Sequence, residues 1–258
     1  GWRKAVMWAG LPGLVILLLI NRWVEDKPLY DVGAVDDTSI GVKHSFIKAL
    51  KLSYGNAQNI LAGLYASLMN MPVAVLGAFV GSVYLRDAQH YMRADAANIN
   101  SMIFFGTIFG GPLIGYLSDK IQLRKIPMIT CNVLSIFIVV TILYVPNISV
   151  PFMELLFFML GFFSSAQVLC YPLVAENNCP TITATAVSVV SVCTQGGFIL
   201  YQQLFSYVLK YQETVAISAY STRAYQHALL VIPYGFILAL LAGFLLRETF
   251  GKRIEERV

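Results

Sequence analysis

Gly115, Asp119, Lys120, Arg124 and Lys125 fall within eleven residues, in a turn between two long apolar runs. A carboxylate and three cations in so short a turn suit ion pairing better than proton transfer. Asp119 ends an apolar helix at that helix's negative end, where an anion is disfavoured without a partner, and Arg124 or another helix's N-terminus would supply one. Inside the apolar runs the polar side chains are neutral: Asn59, Tyr65, Asn70, Gln167, Tyr171, Gln195, Tyr201, Gln202 and Gln203. Such groups hydrogen-bond a polar solute or glue helices together. Gln195 and Gln202 are seven apart, which puts them on one helix face beside Gly196-Gly197. Glu154 is the one acid within a run, four residues from its end, and Glu176 lies near a run's opposite end as a gate or an interface carboxylate.

What is missing excludes other chemistry. His44, His90 and His227 sit at loops or run ends, and no nucleophile–base pair, paired aspartates or metal-ligand spacing occurs. No enzyme activity, cofactor or metal is therefore expected. Cys131, Cys170, Cys179 and Cys193 lie in or beside apolar runs without a defensible pairing, and they read as buried free thiols.

The elements that hold these residues are membrane spans. The 258-residue chain is 57% hydrophobic and 12% charged, about half the charge of an ordinary globular domain. Its mean hydropathy is +0.68, and the lipid bilayer rather than nucleic acid is the expected partner. The first apolar run, Ala5 to Ile20, is followed by six more: Ala57 to Leu85, Asn98 to Leu117, Ile126 to Val145, Val150 to Val174, Ala184 to Leu209 and Tyr225 to Leu246. Each approaches or exceeds the roughly 20 residues a spanning helix needs. No run alternates with the dyad period of a barrel, so the fold class is all-α, a polytopic membrane protein of seven helices.

The divisions predicted are a helix over 1–23, a linker over 24–56, a six-helix bundle over 57–247 and a tail over 248–258. Within the linker, Val42 to Leu52 reads as a short surface-lying amphipathic helix, with Val42, Phe46, Ile47 and Leu50 on its apolar face. Of the 18 Lys and Arg residues, twelve fall on the side holding the linker, the charged turn and the tail, and six on the other. The positive-inside rule makes the first side cytoplasmic and puts Gly1 outside. Gly106 with Gly110, and Gly111 with Gly115, are two small-xxx-small pairs that open two faces of one helix.

Gly115, Asp119, Lys120 and Arg124 match G-x-x-x-D-[RK]-x-G-[RK]-[RK], the loop signature of the major facilitator superfamily. Gln122 replaces its second Gly and Leu123 its next basic residue. Such decay resembles the signature's C-terminal copy. GWR with LPGLVILLLINRWVEDKP resembles the sixth helix entering the central loop, YPLVAENNCPTITATAVSVV the turn between the tenth and eleventh helices, and LRETFGKRIEE the tail. The resemblance covers the whole chain and implies the C-terminal half of a twelve-helix transporter, with the N-terminal half (helices one to five) as its partner. It further implies a solute carrier of the plasma membrane, the inner membrane in a bacterium. Such a carrier works by rocker-switch alternating access, coupled to protons, with any titrating carboxylate in the other half. Gly115, Asp119, Lys120 and Arg124 would then form a gating latch. Asn59, Tyr65, Asn70, Gln167, Tyr171, Gln195, Tyr201 and Gln202 would be candidates for lining the solute cavity. A seven-helix receptor fits the topology equally, but no outer cysteine pair and no Lys in the last span support it.

Overall fold

The computed structural model describes residues 2–24, 46–212 and 221–252, and all regular structure among them is helical. The chain forms two compact units, Gly1–Lys43 and His44–Val258. In the first, α1 covers Trp2–Trp23 with Pro12 inside it. Its apolar part, Gly10–Trp23, is shorter than the spans that follow.

The second unit opens with α2 (Phe46–Gly55). It continues through α3 (Ala57–Met69), a π-helical stretch (Val73–Val80), α4 (Gly81–Asp87), α5 (Arg93–Ile121), α6 (Lys125–Tyr144) and α7 (Val150–Ser164). A 3₁₀ stretch (Ser165–Leu169), α8 (Cys170–Glu176), a 3₁₀ turn (Pro180–Ile182), α9 (Thr183–Gln212), α10 (Thr222–Leu229) and α11 (Val231–Leu245) complete it. These merge into six helical rods long and apolar enough to cross a membrane: Ala57–Asp87, Arg93–Ile121, Lys125–Tyr144, Val150–Glu176, Pro180–Tyr211 and Thr222–Leu245. The six predicted bundle spans coincide with them because apolar length alone dictates where a chain can satisfy its backbone in lipid.

Packing follows the small residues. α5 lies chiefly on α7, α3 on α9 and α11, and α11 on α6. A Cβ on Gly106 would overlap the Phe158 carbonyl oxygen, one on Gly110 the Phe162 carbonyl oxygen, and one on Gly161 the Ile103 carbonyl oxygen. The α5 and α7 backbones therefore touch, which only glycine permits. Gly111 and Gly115, on the adjacent face, have nothing within 4 Å.

One helix is seen in part and one expectation, the burial of all four cysteines, changes. The amphipathic helix is observed from Phe46, and residues 42–45 of its expected range, like most of the linker and tail residues 253–258, lie outside the described residues. Its buried face is Ala49 and Ser53, turned toward α3 and α9, whereas Ile47 is 65% exposed. All four cysteines are free, but only Cys131 and Cys170 are buried; Cys179 is exposed and Cys193 half-buried.

Candidate functional site

Two groups of polar residues stand out, one at the loop end of the bundle and one inside it. At the loop end α5 stops at Ile121, and Gln122 turns the chain in the left-handed region at φ 53°. The Gln122 and Leu123 amides donate back to the Asp119 and Ser118 carbonyls at 3.2 Å each, and the Ser118 hydroxyl donates to the Leu123 carbonyl at 2.7 Å. This Schellman-like closure needs a positive φ, which a glycine adopts without the steric cost a β-carbon brings. The Gln122 position, at which the signature has glycine, is thus the strained point of the turn.

The turn aims Arg124 inward. Its side chain is 9% exposed, with Nη2 donating to Glu176 Oε1 at 2.7 Å and Nε to the same oxygen at 3.2 Å. Nη1 donates to Asp119 Oδ1 at 2.5 Å and to the Ser118 hydroxyl at 3.1 Å. Glu176 also accepts from the Thr249 hydroxyl. Burial alone would lower the Arg124 pKa, but hydrogen bonds to Glu176 and Asp119 outweigh it and hold the guanidinium above its ordinary value. Because the folded-state pKa is raised, Arg124's contribution to stability is complete below its ordinary pKa. It is lost only as pH climbs through the raised one, so Arg124 stays charged across the physiological range. Glu248 adds a second tie: its carboxylate accepts from the Arg124 and Lys125 amides at 2.8 Å each, capping α6, whose first turn has no acid of its own.

The predicted latch residues therefore divide. Asp119 and Arg124 pair, though Asp119's side chain stays 66% exposed. Lys120 is exposed, and Gly115 faces open space. Glu176 joins the cluster from α8. Ser118, Glu248 and Thr249 complete it unannounced. An acceptor for the uncapped start of α6 could be demanded from sequence, but nothing there says it comes from beyond the last span.

Inside the bundle, Pro72 interrupts the first span between α3 and the π stretch, since its ring removes an amide and crowds the preceding turn. The fourth span is irregular too, tightening to 3₁₀ over Ser165–Leu169. Between these irregular stretches Gln167 Nε2 donates to Asn70 Oδ1 at 3.0 Å, both side chains half-buried. From α9, Gln202 donates to the Ala74 carbonyl at 3.1 Å, while Asn100 of α5 donates to the Gly77 carbonyl at 2.9 Å. The Tyr201 and Ser67 hydroxyls share a 2.8 Å hydrogen bond, at a spot where a Cβ on Gly197 would collide with Ser67. Tyr171 is half-buried and Gln195 exposed.

Two other candidates are occupied in packing. Asn59 is fully buried, exchanging hydrogen bonds with Asn178 at 2.8 and 3.2 Å and donating to the Ser53 carbonyl at 3.0 Å. Tyr65, equally buried, donates to the Met128 carbonyl at 2.6 Å.

Six long apolar rods packed on an apolar core, with a few neutral polar pairs between them and an ion-pair cluster at one end, define an integral membrane protein. The chain belongs to the Major Facilitator Superfamily, whose family model matches residues 1–202. Members of this family are carriers, not enzymes. No curated protein matches the chain.

Proposed function

We propose that this chain forms the six-helix half of a secondary active transporter for a small polar solute, bound at the Asn70–Gln167 seam. The observation that carries the reading is that pair. Two neutral amides from different spans meet where both helices lose regular winding, an arrangement that frees hydrogen-bonding groups inside a membrane. Tyr171, Tyr201 and Gln202 extend the seam, whereas Asn59 and Tyr65 hold the bundle together. Because the seam carries no charge, the solute portion it grips is neutral, and a proton-coupling carboxylate lies outside it.

Alternating access would rock this bundle against another across the open Gly111–Gly115 face of α5. The Arg124 cluster would latch its end, with exposed Asp119 as the moving member. The excess of positive residues supports a cytoplasmic location for that end, in a plasma membrane. The test is a melting-shift screen of neutral polar metabolites on the purified chain. A solute that raises the melting temperature of the wild type should lose its effect in Gln167→Leu and Asn70→Leu. Equal stabilisation of those variants would remove the seam from the solute site. Uptake that survives collapse of the proton gradient would remove the coupling.

A further inference from the structure

We infer that the bundle carries a specific site for an anionic phospholipid, in the cleft between the loop-end halves of α5 and α6. The cleft has a volume of about 460 Å³. Leu113, Leu117 and Ile121 form one wall and Ile126, Thr130 and Leu134 the other, with α7 as its floor. Each wall repeats every four residues, so each is a single helix stripe, and the two run side by side toward the charged turn. Five of the six wall residues are large hydrophobics left exposed. That surface has the shape and chemistry to hold an acyl chain lying along the helices.

Charge at the mouth selects the headgroup. Lys120 follows Leu113 and Tyr116 at helical spacing, exposed on the last turn of α5 above the cleft. Its neighbours are committed elsewhere: Arg124 to Glu176 and Asp119, and Lys125 Nζ to the Phe244 carbonyl at 2.6 Å. The carboxylates are equally engaged, Asp119 with Arg124 and Glu248 with the start of α6. Among the described residues Lys120 is the cation beside the cleft with no protein partner, at the depth where a lysine reaches lipid phosphate. This site is independent of the solute seam, and Lys120 takes no part in the hydrogen bonds that tie Arg124 to Glu176 and Asp119.

The experiment is native mass spectrometry of the delipidated chain given equal phosphatidylglycerol and phosphatidylcholine of the same acyl chains. One phosphatidylglycerol should be retained with a preference of about fivefold, the scale of one lysine near an anionic surface. Lys120→Gln should erase the preference while leaving helicity and melting temperature unchanged. Thr130→Trp, which fills the cleft from an exposed position, should reduce retention of both lipids. Equal retention of the two lipids by the wild type, or a preference that persists in Lys120→Gln, would overturn the headgroup assignment. Undiminished retention in Thr130→Trp would show that lipid does not occupy the cleft and that another surface must.

Discussion

The two faces of α5 carry the same small-xxx-small spacing and have opposite surroundings. Gly106 and Gly110 press against the carbonyl oxygens of α7, while Gly111 and Gly115, one position further round, face open space. The charged turn repeats the division: Arg124 and Glu176 are buried at 7% and 9% exposure, and Asp119 protrudes. One side of this helix is spent on building the bundle. The other is left unpacked.

The largest effect should come from the buried side of the turn. Glu176→Ala leaves buried Arg124 with the Ser118 hydroxyl and a solvent-exposed carboxylate, and breaking such a buried pair costs about 3–5 kcal/mol, to be read as a fall in detergent melting temperature. Gly106→Ala or Gly110→Ala drives a methyl into α7 backbone and should cost about 1–3 kcal/mol. A wild-type melting curve for either would mean that α5 and α7 do not touch as described. Gln122→Gly works the other way, relieving the left-handed strain and adding about 1 kcal/mol.

On the exposed side stability should barely respond. Asp119→Ala removes a surface ion pair worth less than about 1 kcal/mol, so expression and melting should hold while transport falls; unchanged uptake would take Asp119 out of the latch. Smallest of all, Gly111→Ala and Gly115→Ala should be neutral or stabilising by up to about 1 kcal/mol from helix propensity. If Gly115→Leu also leaves uptake intact, the open face is not one that closes during transport.

Spans were legible because hydrocarbon imposes one demand, apolar length, and the residues that meet it are adjacent in the chain. The Asp119–Arg124 pair was legible for a similar reason, both partners lying in a single turn. Asn59 and Tyr65 could not be told from Asn70 and Gln167 by sequence, because a polar residue in an apolar run has the same appearance whether it faces a solute or a neighbouring carbonyl. Ile47 was placed on the apolar face of a surface-lying helix, since periodicity locates an apolar stripe without saying what covers it; the structure adds that α2 packs on the bundle through Ala49 and Ser53.

By itself the sequence determined a bundle of apolar helices, their limits and the membrane around them, all properties of local composition and spacing, while its charged turn carried the resemblance to the carrier family. Tertiary structure alone decided which glycine pair packs and which stays open. It also decided that Glu248 and Thr249 close the Arg124 cluster from more than 70 residues away, and that Asn70 meets Gln167 across 97 positions. The reason is geometric: a helix presents several faces with equal sequence claims to a partner, and only the arrangement of the other helices assigns one face to protein and leaves another free.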